Sequence, residues 1–218
     1  EALLRWNHST RGLVPPTQFI ALAEQTSVGQ LLGQWVLDTA CNQLVLWGQQ
    51  HATSGWTLAI NVGSSQFDDE GFVTQIAAAL HKTGANPQRL KLELTESMLM
   101  NDSQETRTKM HAIKALGVGF SLDDFGTGYS SLLHLQRLPL DQLKIDKSFV
   151  RALLTQPGDA TVARSVVALG HSLGLVTMAE GVETPAQWAF LANERCDGAQ
   201  GYLYARPMPV AELLVWLR

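Results

Sequence analysis

The sequence predicts an α/β fold, a TIM-like (β/α) barrel, on three observations. Short runs of β-forming residues alternate with longer segments of helical apolar spacing, the pattern of parallel βαβ units. In the runs one face is apolar and the other small or polar, whereas an open doubly wound sheet, covered by helices on both sides, should be apolar on both. The polar residues that close the runs fall at C-terminal ends, where a barrel of this kind carries its active site. A length of 218 residues suits one such domain, expected to span 1–218. No repeat, low-complexity tract or linker divides it.

The runs span 58–61, 90–94, 118–122, 142–145, 175–179 and 201–204, with a shorter one at 2–5. Alternate strand residues face opposite sides. Leu58 and Ile60 therefore oppose Ala59 and Asn61, and Leu90, Leu92 and Leu94 oppose Lys91 and Glu93. Val118, Phe120 and Leu122 oppose Gly119, Ser121 and Asp123, while Leu143 and Ile145 oppose Gln142, Lys144 and Asp146. Helical spacing covers 17–26, 28–50, 70–83, 103–116, 159–173, 185–194 and 209–217, with caps expected at Thr17, Ser103, Asp159 and Thr184. Asp146 reads as the cap of a helix following its strand. Trp35, Trp47, Trp188 and Trp216 read as packing residues.

Composition excludes several function classes. The chain carries 16 Lys and Arg against 20 Asp and Glu, a net charge of −4, and no basic run. Binding to long nucleic acid is driven by phosphate neutralisation, so that class is excluded while a small nucleotide is not. Cys41 and Cys196 are far apart and have no zinc-like spacing, which argues against a disulfide framework and fits a reducing cytosolic setting. No apolar stretch reaches membrane-spanning length and no secretory signal opens the chain, so a soluble cytoplasmic domain without direct membrane contact is expected.

The polar residues at the strand ends are Asn61, Glu93, Asp123 with Asp124, Lys144, Glu180 and Gln200. Gathered round one barrel mouth, the carboxylates would repel one another unless some were protonated or cations lay between them. Oxygen donors without a histidine or thiolate cluster favour hard cations, Mg²⁺ or Mn²⁺, over zinc. Two adjacent aspartates suggest two ions, Asp123 bridging them and Asp124 serving the second, a layout suited to in-line phosphoryl displacement. From spacing alone, a metal-dependent hydrolase stands beside the plainer reading of helix caps and surface carboxylates.

The order of the motifs adds to this. The opening Glu1-Ala2-Leu3-Leu4-Arg5-Trp6 is followed by Gly12-Leu13-Val14-Pro15-Pro16 and Phe19-Ile20. Then come Ile60-Asn61-Val62, Glu93-Leu94-Thr95-Glu96, Asp123-Asp124-Phe125-Gly126-Thr127-Gly128-Tyr129-Ser130-Ser131-Leu132 and Leu143-Lys144-Ile145-Asp146. Ala179-Glu180-Gly181-Val182-Glu183-Thr184, Gln200-Gly201-Tyr202 and Arg206-Pro207 complete the series. This succession resembles the EAL family of cyclic di-GMP phosphodiesterases over the whole chain.

The resemblance implies hydrolysis of cyclic di-GMP to linear pGpG with two Mg²⁺ or Mn²⁺ ions per active site. It implies that Glu1, Asn61, Glu93 and Asp123 bind the first ion, and Asp123 and Asp124, helped by Glu180, the second. Glu180 is the expected general base or water positioner, with Lys144 near the nucleophilic water and Asp124 in the catalytic group. Arg5, Glu183, Gln200 and Tyr202 look like substrate-binding groups. Glu96 resembles the residue that anchors the family's sixth loop, and that loop with its neighbouring helix implies a homodimer. A catalytically inactive member that binds cyclic di-GMP as a sensor is the alternative.

Two departures from the family pattern stand out. Asn61-Val62-Gly63 replaces the frequent Asn-Leu-Ser and leaves the ligand intact. The family's first strand precedes the Glu-Ala-Leu motif, so the barrel is expected to lack that strand in this chain. Residues are expected to precede Glu1, with regulatory domains upstream.

Overall fold

The computed structural model describes residues 1–99, 103–126 and 132–217, with side chains from 134 onward in the last stretch. Thr127 to Ser131 of the expected sixth loop lie outside the described residues. Contacts divide the chain into two compact units, Glu1–Asp123 with Gly128–Asp141, and Asp124–Thr127 with Gln142–Arg218.

The first unit opens with an antiparallel hairpin, β1 (Trp6–His8) and β2 (Gly12–Val14). Helices α1 (Ile20–Glu24) and α2 (Ser27–Gly48) lead to β3 (Leu58–Asn61). Then follow α3 (Ser64–Asp68), α4 (Phe72–Thr83), β4 (Leu90–Thr95), α5 (Gln104–Ala115), β5 (Gly119–Phe125), whose last two residues belong to the second unit, and α6 (Leu132–Leu135). Strands β3, β4 and β5 run parallel in that order. Leu90, Leu92 and Leu94 are buried on one face of β4, and the buried faces of α2 (Leu37, Cys41, Leu44) and α4 (Phe72, Ile76) add to the core. The buried Arg89 guanidinium donates to the carbonyls of Trp56 (2.7 Å), Thr53 (2.8 Å) and Leu44 (3.5 Å), satisfying acceptors near the C-terminal end of α2.

The second unit contains β6 (Gln142–Ile145), α7 (Lys147–Ala152), α8 (Pro157–Ser172), β7 (Val176–Ala179), α9 (Pro185–Asn193), β8 (Gly198–Ala199) and α10 (Val210–Trp216). Its strands β6, β7 and β8 are also parallel and in sequence order. Thr184 caps α9 through a reciprocal box with Gln187. Asp146 caps α7 by accepting from the Ser148 N–H at 2.9 Å. No described helix is long and apolar enough to cross a membrane.

Several expected elements are corrected. The aromatic run at 201–204 is a turn closed by the Tyr204 N–H on the Gly201 carbonyl at 3.1 Å, and the strand lies earlier, at β8. The run at 2–5 contributes only an isolated bridge between Ala2 and Ile60, because the chain turns at once into the β1–β2 hairpin. Thr17 lies inside a 3₁₀ turn begun by Pro16, and Asp159 lies in the first turn of α8 behind Pro157. Proline at the first helical position needs no N–H partner, so each segment starts earlier than the polar residue suggests. Ser103 caps α5 as expected, accepting from the Thr106 N–H at 3.0 Å.

At the start of β7, Asp197 accepts from the Thr177 N–H (2.7 Å), the Thr177 hydroxyl (2.8 Å) and His171 Nε2 (3.1 Å). The Thr177 N–H foremost, against a smaller opposing effect of burial, then the hydroxyl and His171, hold its carboxyl below the usual carboxylate range. A depressed folded-state pKa gives stability that is present above the unfolded value, about 3.9, and lost as the pH falls through the native one. Asp197→Asn should therefore cost about 1 kcal/mol at neutral pH, given the exposure of the group. In urea titrations that difference should fade below about pH 4; a loss independent of pH would refute the charge-assisted contribution.

Candidate active site

In the first unit the strand register aligns the polar residues. Asn61 on β3 stands opposite Glu93 on β4, Glu93 opposite Ser121 on β5, and Thr95 opposite Asp123. Laterally paired residues in a parallel sheet share a face, and residues two apart in one strand do too. Asn61, Glu93, Ser121 and Asp123 therefore face one way. Glu93 is buried, 3% exposed, and Asp123 is half-buried. Glu1 reaches this row from the N-terminus: the Ala2 N–H bonds the Ala59 carbonyl at 2.8 Å, and Asn61 Nδ2 donates to Glu1 Oε1 at 2.7 Å. That amide orientation turns the Asn61 oxygen away from the carboxylate that would repel it. Glu96 opens a 3₁₀ turn, Glu96–Leu99, directly after β4 and is buried. Arg5 is exposed, and its guanidinium donates to the Leu4 carbonyl at 2.7 Å.

In the second unit the ends of β6, β7 and β8 build a compact charged cluster. Lys144 on β6 is 1% exposed and forms an ion pair with Glu180. The Glu180 N–H continues the ladder by bonding the Ile145 carbonyl at 3.1 Å. Gln200, held by its N–H on the Ala179 carbonyl (2.8 Å), donates from Nε2 to the same Glu180 Oε1 at 3.0 Å. An ammonium and an amide thus converge on one carboxylate oxygen and fix its plane, an arrangement in which both partners of a largely buried pair are retained.

Asp124 adopts a left-handed backbone, φ 54°, which Asp tolerates better than most residues. It offers a carboxylate oxygen within 4.8 Å of one from Glu180. Its side chain lies beside Asp146: burial pushes the Asp146 carboxyl up, but the Ser148 hydroxyl and N–H, the Asp124 side chain and the charge of Lys147 outweigh it and leave it below the usual carboxylate range. Glu183 and Tyr202 are exposed, and among the described residues neither side chain joins the Lys144–Glu180–Gln200 cluster. The Glu183 N–H is held by Gln187 Oε1 at 2.8 Å, and the Arg206 guanidinium lies 4.3 Å over the Tyr202 ring.

The EAL domain family model matches residues 1–207. The chain belongs to the EAL family. MucR of Pseudomonas aeruginosa, a bifunctional diguanylate cyclase/cyclic di-GMP phosphodiesterase, is 46% identical over 214 residues, 98% of this chain and 31% of MucR. The cyclic di-GMP phosphodiesterase NbdA of the same organism is 42% identical across all of this chain and 28% of its own length. The chain thus spans about a third of the length of these relatives. The structure of the MucR phosphodiesterase in complex with c-di-GMP superposes with a TM-score of 0.93, at 46% identity, over 97% of this chain and 85% of that one. The expected TIM-like α/β fold is therefore the fold of this EAL domain.

The oxygen donors in each unit are of the kind that suits a hard divalent cation: in the first Glu93 is a buried carboxylate, and in the second Asp124 and Glu180 present oxygens close together. Two contacts were not foreseen from the sequence. Asp146 touches Asp124 besides capping its helix, a role signalled only by its place two residues after Lys144. Gln200, expected as a substrate group, engages Glu180.

Proposed function

We propose that this EAL domain hydrolyses one phosphodiester bond of cyclic di-GMP, releasing linear pGpG. The observation that carries the reading is the cluster of buried Lys144 with Glu180 and Gln200, with Asp124 beside it, in a chain of the EAL family. The relatives MucR and NbdA, both named as cyclic di-GMP phosphodiesterases, support it.

Glu1, Asn61, Glu93 and Asp123 would hold one Mg²⁺ or Mn²⁺ ion, and Asp123, Asp124 and Glu180 a second. Bound there, the ions would supply Lewis acidity for the phosphate and lower the pKa of water. Water adds to one phosphorus, the bond from phosphorus to the ribose O3′ breaks, and O3′ leaves as a hydroxyl by taking a proton from solvent, to which Glu180 in turn releases the one it accepts from the water. Glu180 orients the water and accepts its proton, while Lys144 and Gln200 hold the Glu180 carboxylate in one plane and Lys144 counters the charge. Arg5 offers a forked cation to a phosphate oxygen, Glu183 and Tyr202 line the substrate, and Glu96 anchors the segment beyond Asp124. In this reading the domain acts as a cytoplasmic homodimer and as the phosphodiesterase module of a larger regulated protein.

Incubation with cyclic di-GMP and Mg²⁺ or Mn²⁺, followed by chromatography, should yield pGpG. Tight binding without turnover would instead identify a sensor and overturn the reading.

A further inference from the structure

Arg206 follows the turn beyond β8, four residues after Tyr202, and its guanidinium carbon lies 4.3 Å from the centroid of the Tyr202 ring, over its face. Both residues are exposed, and among the described residues the guanidinium has no hydrogen bond or ion pair. A guanidinium is weakly hydrated and attracted to an aromatic face, and this contact leaves the N–H donors at its edge available.

The backbone beneath the pair is fixed within the second unit. The Leu203 N–H bonds the carbonyl of fully buried Val182 at 3.0 Å, and the Tyr204 and Ala205 N–H groups bond the Gly201 carbonyl at 3.1 and 3.3 Å. Pro207 biases Arg206 towards extended conformations. An exposed arginine is thus presented from a held turn, with its side chain braced on a ring.

Position decides what this fork can meet. Tyr202 is two residues, at most about 7 Å of chain, beyond Gln200, whose side chain holds Glu180. In the hydrolysis reading the scissile phosphate sits at the carboxylates, so groups one step outside the Lys144–Glu180–Gln200 cluster face a base. Paired N–H donors match the O6 and N7 acceptors of guanine, whereas adenine places an amino donor beside N7.

Resting on that reading, we propose that Arg206, braced on Tyr202, binds the O6 and N7 edge of one guanine of cyclic di-GMP and determines specificity for that base. It takes no part in the bond-breaking step.

The test measures dissociation constants, without divalent cation, for cyclic di-GMP and for its 7-deaza analogue, which carries C–H in place of N7. Wild type should prefer cyclic di-GMP about tenfold, the scale of a good base-edge contact. Arg206→Met, which keeps the length of the side chain but loses the fork, should bind the two alike and about as weakly as wild type binds the analogue. Arg206→Lys, which keeps the charge without the fork, should lose most of the preference too. A wild type without the preference overturns the proposal, and so does a Met variant that weakens both nucleotides equally and keeps the preference, since that is loss of charge alone. A wild type that shows the preference but releases no pGpG when Mg²⁺ or Mn²⁺ is added overturns the hydrolysis reading and leaves the Arg206 contact standing. Binding of neither nucleotide overturns both.

Discussion

Asp123→Asn should reduce kcat about a thousandfold while leaving the fold intact. The substitution is nearly isosteric, and Asp123 is half-buried at the end of β5, held by register against Thr95 and not by close packing of its carboxylate in an apolar core. What changes is charge. An amide offers a neutral oxygen where the proposed reaction needs an anionic ligand shared by two cations, and losing about 4 kcal/mol of transition-state stabilisation corresponds to three decades in rate. Adjacent Asp123 and Asp124 are like charges without cations, so removing one should leave the melting temperature of the cation-free chain unchanged or slightly raised. Because a cation that binds only the folded state raises stability with its concentration, the rise in melting temperature with added Mn²⁺ should shrink in the variant. Turnover close to wild type, with an undiminished Mn²⁺ effect, would remove Asp123 from the bridging role.

The same residues show how far the sequence reaches. Period-two alternation located Asn61, Glu93 and Asp123 on one strand face, and the register bears this out, because a parallel ladder leaves little freedom once the apolar face is known. The strand at Gln142–Ile145 was legible to the residue. Short elements were harder to read: α3 spans five residues, too few to display a helical period, and α7, six residues long, was legible only through its Asp146 cap. Strand β8 is two residues long, and the alternating aromatics just after it mimic a strand better than it does. Contacts between segments distant in sequence were hidden for another reason. Gln200 and Glu180, or His134 and Leu99, meet through tertiary packing, which no local pattern encodes.

Gly201→Ala should destabilise the chain by about 3 kcal/mol, the upper range for forced overpacking. Gly201 has φ +155°, and a Cβ there would lie 2.2 Å from the Val182 carbonyl oxygen and 2.4 Å from its nitrogen. These are backbone atoms of a fully buried residue, not the end of a flexible side chain that could swing aside. Nor can Val182 retreat cheaply, since its N–H bonds the Gln200 carbonyl at 3.1 Å and its carbonyl accepts from the Leu203 N–H at 3.0 Å. Any shift that relieves the methyl breaks one of these bonds or displaces Gln200, whose side chain holds Glu180. For a domain of this size the cost should appear as a fall of about 6–12 °C in melting temperature. Activity below the transition should fall with it, through kcat. Gly158→Ala provides the control: nothing lies within 4 Å of its Cβ position near the start of α8, so alanine there should be neutral or mildly stabilising. If the two variants melted alike, the close approach of Gly201 to Val182 would not be what holds the end of β8 in place.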